Sequence, residues 1–166
     1  MEKENLYQSW DAVLQFDTEE APDAANTETQ NTKRYIAEHH PEILQAILEE
    51  AYGQYPQWKE DSFYDLDNLE EQMPDLEHPE DLLKFIRFKT IQLMDVQKEK
   101  QLYYAVNFVG LWDESCELWC VMHKDRVVFL GEREPSQLTW IAENDSSHKE
   151  FEEIKSQKKM ACNIRF

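Results

Sequence analysis

The sequence predicts an α+β fold, in which an antiparallel β-meander of about four to five strands packs against two or three helices. Four short runs of β-forming residues follow one another between residues 90 and 131, and polar turn residues separate them. A helical repeat of apolar residues precedes them, between residues 27 and 52. Because strands joined by short turns pair side by side, we expect one sheet with the helices packed against it.

The first 26 residues are expected to form an N-terminal strand and an acidic loop. Trp10, Leu14 and Phe16 would line one side of the strand, because they are separated by even numbers of residues. The residues after Phe16 are rich in Asp, Glu, Thr and Asn, a composition typical of a loop.

A helix is expected from Thr27 to Tyr52. Its apolar positions share one face and its border: Ile36, Ile43, Leu44, Ile47, Leu48 and Ala51. Pro41 lacks a backbone donor and clashes with the preceding turn, so we expect a kink or break there, with Pro41 as the first residue of the second piece. His39 and His40 would then be solvated residues of this junction.

A further helix is expected to begin at Pro79, because proline suits the first helical position and the acidic pair Glu80 and Asp81 suits the positive end of the helix dipole. We expect it to continue to about Phe88. It would close a helical part of the chain, residues 27–88.

The strands of the meander are expected at residues 90–96, 102–111, 117–123 and 126–130. In the second strand one set of alternating side chains is strongly apolar and the other moderately polar, which predicts one core face and one partly covered face. Residues 132–166 form a tail, in which residues 136–144 fit either a short helix or an edge strand. At 166 residues, the whole chain is expected to be a single domain.

The charge of the chain restricts its partners. Lys and Arg number 17 against 35 Asp and Glu, which gives a formal net charge of −18. Binding to nucleic acid or to an anionic membrane needs cations at the interface, so we expect neither. A strongly negative surface attracts basic proteins, although the same charge also serves solubility alone.

We expect a cytoplasmic protein with reduced thiols. No apolar run approaches the roughly 20 residues that cross a bilayer, and the first residues lack a basic segment followed by an apolar one. Three cysteines in such a chain fit free thiols better than disulfides.

Cys116, Cys120 and His123 resemble part of a zinc site, but their spacing argues against one. Two sulfurs on one zinc lie about 4 Å apart, because each Zn–S bond is about 2.3 Å. Four residues of a strand advance about 13 Å, and no glycine or proline between the cysteines turns the chain. We therefore expect a buried, apolar Cys120, a Cys116 at a turn or strand start, and no metal or other cofactor.

Two segments are candidates for binding a protein partner, because they combine acidic and aromatic residues at predicted loops and turns. The first segment, called the acidic strip, comprises residues 59–81. The second is the turn that follows the second predicted strand, residues 112–114. The candidate residues are Asp61, Phe63, Tyr64, Asp65, Asp67, Glu70, Glu71, Trp112, Asp113 and Glu114. The alternatives are a solvated loop for the strip and, for the turn, a Trp112 that covers the core beside acids that hydrogen-bond the turn.

Four segments of the chain match motifs that occur together in a fixed order. They are residues 27–52, 73–82, 112–114 and 123–131. The motifs are a T-x-x-Q…Y-I…I-L-x-x-x-Y helix, a P-D-I-x-x-P-E-D-L helix start, a W-D-E hairpin and an H-x-D-R-V-V-x-x-G strand. In this order they resemble an uncharacterised bacterial domain family. The resemblance implies an α+β fold, and such domains look similar to small acidic proteins of bacterial polymorphic-toxin immunity systems.

The chain departs from this family after W-D-E. The family pattern continues E-H-G-L-G, whereas this chain continues S-C-E-L-W from Ser115 to Trp119. The two glycines and the histidine are therefore absent, and we expect no activity that depends on that histidine.

Three functional hypotheses follow. The leading one is a non-enzymatic, acidic protein-binding domain, most concretely an immunity protein that neutralises a basic toxin. The second is a hydrolase or metal-dependent enzyme whose site assembles dispersed carboxylates and a histidine, such as Asp113, Glu114 and His123. The third is a regulatory subunit of a cytoplasmic complex.

Overall fold

The computed structural model describes residues 2–15, 27–63 and 67–147, and the side chains of the first range from Gln8 onward. Its strands are β1 (Ile86–Lys98), β2 (Gln101–Gly110), β3 (Asp113–His123) and β4 (Arg126–Gly131). Its helices are α1 (Glu2–Val13), α2 (Thr27–Asp61), α3 (Leu69–Gln72), a 3₁₀ helix (Pro79–Lys84) and α4 (Pro135–Ser146). The predicted α+β fold is confirmed.

The predicted meander is confirmed as one antiparallel sheet in the order β1-β2-β3-β4. Its strands pair in chain order because tight turns join them. Glu99 and Lys100 connect β1 to β2 with φ angles of 55° and 66°, the left-handed backbone that a two-residue hairpin requires. Lys124, between β3 and β4, also has a left-handed backbone conformation, with a φ angle of 58°.

One face of the sheet carries the main core. Alternate side chains such as Tyr104, Val106 and Phe108 on β2 are fully buried there and pack with α1, α2 and the 3₁₀ helix. The opposite face carries a smaller cluster in which Tyr103, Ala105 and Val121 pack with α4. The expected partly covered second face is therefore present, and the tail segment that covers it is a helix.

The predicted N-terminal strand is wrong, because residues 2–13 form α1. Trp10 and Val13, three residues apart, both face the core, and the Trp10 ring lies 5.0 Å from that of Phe88 in an edge-to-face contact. The Ser9 hydroxyl oxygen also accepts a hydrogen bond from the Phe88 backbone N–H at 3.1 Å. Apolar spacings of three and four fit a helix, and packing against β1 decides between helix and strand.

The helix expected from Pro79 to Phe88 is shorter than predicted. It ends at Lys84, and β1 begins at Ile86, opposite Gly110 of β2. Ile86 and Phe88 are buried while Arg87 is exposed. This period-two pattern marks a strand, and pairing with β2 satisfies the backbone groups that a longer helix would have paired internally.

The predicted interior face of α2 is confirmed, and so is the kink. His39 has non-helical backbone angles of −118° and 17° immediately before the Pro41 turn, and its ring stacks on Tyr35 at 4.2 Å. The helix continues past Tyr52 and Pro56 to Asp61, further than predicted. Within the described residues, no helix has both the length and the apolar character needed to cross a bilayer.

Candidate protein-binding site

The acidic strip, residues 59–81, extends from the end of α2 through α3 to the start of the 3₁₀ helix. Asp61, Asp67, Glu70 and Glu71 are exposed, and Phe63 is 61% exposed. Tyr64 and Asp65 lie outside the described residues. The strip therefore presents several acids and one large apolar ring at the surface.

Part of the strip has a structural role. Lys59 of α2 forms ion pairs with Glu70 at 3.1 Å and Asp75 at 2.9 Å. The Tyr55 hydroxyl donates a hydrogen bond to the Pro74 carbonyl at 2.7 Å. Burial, together with the Asp75 and Glu70 charges, raises the pKa of Tyr55 to about 12, so the phenol remains a donor at neutral pH. These contacts hold the segment after α3 against α2.

Trp112 lies between the end of the sheet and α2 because residue 110 is glycine. A Cβ at Gly110 would lie 2.3 Å from the Trp112 ring, closer than real contacts allow. The half-buried indole also packs against Tyr55 at 6.0 Å and Trp58 at 6.1 Å between ring centroids. Trp112 thus covers this end of the core, which was the alternative to a role in partner binding.

The two acids that follow Trp112 have different partners. An Asp113 carboxylate oxygen accepts hydrogen bonds from the backbone N–H and the hydroxyl of Ser115, at 3.2 and 2.5 Å. Glu114 forms an ion pair with Arg87 of β1 at 2.6 Å, and both side chains are about half exposed. Asp113 shapes the turn through a local hydrogen-bond pattern, while Glu114 joins two strands.

Two neighbouring cavities, whose linings share Asp113, Cys116 and Glu132, open at this end of the sheet. The tryptophan pocket has a volume of about 170 Å³. Its lining residues are Trp58, Asp61, Ser62, Gly110, Trp112, Asp113, Cys116, Leu118 and Glu132. The acidic groove beside it is open and measures about 600 Å³. Its lining residues are Asp113, Ser115, Cys116, Glu117, Glu132, Arg133, Glu134 and Gln137.

The structure thus brings together three predicted residues, Asp61, Trp112 and Asp113, that are up to 52 positions apart in the chain. Phe63, Asp67, Glu70, Glu71 and Glu114 line neither cavity.

Negative charge dominates both cavities. Four of the lining carboxylates form no ion pair with any Lys, Arg or His of the described residues: Asp61, Asp113, Glu132 and Glu134. Glu117 is paired with Lys89 at 3.0 Å. Arg133, the one cationic residue among the lining side chains of the two cavities, lies 4.8 Å from the centre of the Phe129 ring. The site is therefore able to attract cations.

Cys116 lies where the two cavities meet, and it is a hydrogen-bond donor there. Its Sγ donates to Glu132 Oε1 at 2.7 Å. Burial raises the pKa of the Cys116 thiol to about 12, with help from the hydrogen bond and the negative charge of Glu132. A thiol with that pKa stays protonated at neutral pH, which is the form that donates this hydrogen bond and is a poor nucleophile.

The other residues of the rejected zinc site lie elsewhere. Cys120 is fully buried as expected, and burial raises the pKa of its thiol. His123 is also buried, with Nε2 2.9 Å from the Lys98 carbonyl oxygen and its ring 4.5 Å from Tyr103. Among the described residues, no three His, Cys, Asp or Glu side chains converge as metal ligands.

The proposed enzymatic trio does not meet in space. Asp113 and His123 occupy opposite ends of β3, which separates them by about 33 Å at ~3.3 Å per residue. Proton transfer or shared metal binding needs separations of about 3 Å, directly or through one water. These three residues therefore form no common site.

Sequence reasoning missed Trp58, Glu132 and Glu134. Trp58 lies one helical turn before Asp61, a spacing that would have placed both side chains on one face once α2 was extended past Pro56. Glu132 and Glu134 reach the site because the link from β4 to α4 passes beside the β2–β3 turn. No local sequence pattern predicts that the link from β4 to α4 lies beside the β2–β3 turn.

Comparison with known proteins identifies one family. A family model described as a domain of unknown function (DUF6985) matches residues 3–135, a range that includes α1 except its first residue, α2 and all four strands. No curated protein and no solved structure matches this chain. Because the match covers well over half of the 166 residues, the chain belongs to the DUF6985 family.

Proposed function

We propose that this protein is a non-enzymatic binding domain that recognises a basic protein with the acidic groove and the tryptophan pocket. The observation that carries the proposal is the group of four carboxylates that have no cationic partner among the described residues and line two neighbouring cavities. In its most specific form, the protein is an immunity protein that neutralises a basic toxin.

Electrostatics supports a protein partner of opposite charge. The net charge of −18 produces a long-range field that steers a basic protein toward the surface. The exposed carboxylates of the groove are hydrated in the free protein, and lysine or arginine side chains can replace that water with charge-assisted hydrogen bonds. Such surface charges contribute more to association rate and specificity than to affinity.

The aromatic residues supply affinity, to which the surface charges contribute less. Trp58 and Trp112 are half-buried at the pocket and present parts of their rings to a partner. Tryptophan is enriched among the residues that dominate binding energy. A site that joins aromatic surface to carboxylates suits a basic protein better than a phosphate backbone, which these carboxylates would repel.

The immunity form of the proposal is supported by the resemblance to small acidic proteins of polymorphic-toxin systems. A toxin that acts on nucleic acid needs a basic surface, and an acidic protein can occlude that surface. The cytoplasm is the compartment in which we propose that this happens.

The test is capture of the partner from the native cells with three versions of the tagged protein. The groove variant carries Asp113→Asn, Glu132→Gln and Glu134→Gln. The matched control variant carries Glu38→Gln, Asp95→Asn and Glu143→Gln, which remove the same charge from exposed positions that line neither cavity.

We expect wild type and the control variant to capture a stoichiometric basic protein that high salt releases, and the groove variant to bind it about tenfold more weakly. Equal capture by all three proteins would contradict the proposal. A salt-resistant complex with an apolar interface would instead favour a regulatory subunit.

A further inference from the structure

The tryptophan pocket has aromatic walls. The rings of Trp58 on α2 and Trp112 after β2 lie 6.1 Å apart between centroids and are tilted by 33°. Gly110 and Leu118 are also in the lining, and Gly110 leaves the room that Trp112 occupies. The pocket is thus formed by residues whose positions the core fixes.

Three of the five remaining lining residues of the pocket are acidic, and the other two are Ser62 and Cys116. Asp61 comes from the end of α2, Asp113 from the start of β3 and Glu132 from the segment after β4. Three separate elements therefore supply carboxylates to one cavity, and none of the three carboxylates has a cationic partner among the described residues.

The size and chemistry of the pocket limit what it accepts. Its volume of about 170 Å³ is below the ~300 Å³ at which pockets for small-molecule ligands begin, but it suits the end of one side chain. Carboxylates select a cation, and indole rings favour one with a flat face. Guanidinium stacks on aromatic rings and binds carboxylates through two parallel hydrogen bonds, whereas ammonium is a compact and strongly hydrated charge.

We propose that the tryptophan pocket binds a single arginine side chain of the partner, an inference that rests on the proposed protein-binding function. The guanidinium lies against the indoles of Trp58 and Trp112 and donates hydrogen bonds to Asp61 and Asp113. The acidic groove then receives the basic residues around this arginine.

The test uses three short peptides and the full chain. The probes are acetyl-Gly-Arg-Gly-amide, the same peptide with lysine, and the same peptide with citrulline, which keeps the shape of arginine without its charge. The readout is the nuclear magnetic resonance signal of the indole N–H groups, five of which are present. Substitution of single tryptophans by phenylalanine assigns each signal.

We expect the arginine peptide to shift the Trp58 and Trp112 signals saturably, with a Kd of about 1–10 mM. The lysine peptide should bind more weakly and the citrulline peptide should leave these signals unchanged. Equal shifts with all three peptides, equal binding of lysine and arginine, shifts spread over the other tryptophans, or no shift would each overturn the proposal.

Two variants test the named contacts. Asp61→Asn removes one charge at an exposed position and should weaken arginine binding about threefold to fivefold. Trp58→Leu keeps apolar bulk but removes the aromatic face and should weaken it about threefold to tenfold. Asp95→Asn removes the same charge from β1, far from the pocket, and should leave binding unchanged. A loss equal to that of Asp61→Asn would show a general field effect and overturn the pocket assignment.

This inference and the proposed function fail separately. If the groove variant loses the captured partner but the arginine peptide gives no localised shift, the pocket assignment alone is wrong. If the peptide binds as expected while the groove variant retains the partner, the proposed function is wrong and the pocket needs another ligand.

Discussion

The two ends of β3 use charge in different ways. At the His123 end, two ion pairs lie within the fold: Arg126 contacts Asp145 of α4 at 2.6 Å, and Lys124 contacts Glu99 at 2.7 Å. At the Asp113 end, carboxylates from three elements surround two cavities, and most of them have no cationic partner within the described part of the chain. One end uses ion pairs to join parts of the fold, whereas the other presents carboxylates without ionic partners at two cavities.

The paired end fixes α4 on the second face of the sheet. Asp145 accepts hydrogen bonds from the Tyr103 hydroxyl at 2.5 Å and from both terminal nitrogens of Arg126. Burial raises the pKa of Asp145, but these hydrogen bonds outweigh it and leave the pKa below its ordinary value. The contacts between α4 and the sheet therefore combine an apolar cluster with one satisfied ionic group.

The largest effect is expected from Gly110→Ala at the acidic end. The added Cβ would overlap the Trp112 ring and displace it, which should lower the free energy of unfolding by about 1–3 kcal/mol and weaken arginine-peptide binding. Gly53→Ala is the control, because a Cβ there meets nothing within 4 Å and alanine favours the helix. Chemical denaturation measures both variants, and equal stability of the two would contradict the role of Gly110.

The next effect is expected from Asp145→Asn at the paired end. Loss of the charged acceptor leaves Arg126 and Tyr103 poorly satisfied and should cost about 1–3 kcal/mol. Hydrogen exchange should show α4 opening more readily, while arginine-peptide binding stays unchanged. Glu143→Gln, on an exposed position of the same helix, should have little effect on either measurement. Weakened peptide binding by Asp145→Asn would show that the two ends are not independent.

A smaller effect is expected from the pH dependence of stability. Burial lowers the pKa of His123 below its ordinary value, so the unfolded chain takes up this proton first as the pH falls. The free energy of unfolding therefore has its full value above the pKa of an unfolded histidine, about 6.5, and decreases as the pH falls below that value. His123→Gln should flatten this slope in denaturation midpoints between about pH 7.5 and 5.5. An unchanged slope in His123→Gln would exclude His123 as its source.

The smallest effect is expected at the β1–β2 turn, outside both ends. Lys100 has a φ of 66°, which is unfavourable for a residue with a side chain. Lys100→Gly should raise the free energy of unfolding by about 0.5–1 kcal/mol, because glycine adopts this backbone without strain. Gln92→Gly, at an exposed position within β1, should lower it, and a decrease in both variants would contradict the assignment of strain to Lys100.

The sequence predicted the sheet well because alternation and turn residues are local signals. The burial of Tyr104, Val106 and Phe108 on one face follows directly from period two. The errors lie where non-local packing decides. Trp10 and Val13 form a helix because β1 offers them a surface, and Ile86 joins the sheet because Gly110 is its partner.

The candidate site was only half predictable for the same reason. Trp112 and Asp113 stand out as an aromatic and an acid at a turn, and Asp61 as part of an acidic strip. Their convergence with Trp58 and Glu132 depends on where α2 ends relative to the β2–β3 turn. That distance depends on packing between residues that are far apart in the chain, and local sequence patterns do not reveal such packing.

The most direct test of the difference between the two ends is the salt dependence of affinity for the captured partner. We expect the wild-type affinity to fall steeply from about 50 to about 500 mM NaCl. The groove variant should bind more weakly at low salt and show a shallower dependence, while the matched control variant follows wild type. Identical salt dependence in all three proteins would contradict the central claim that the acidic end binds a basic partner.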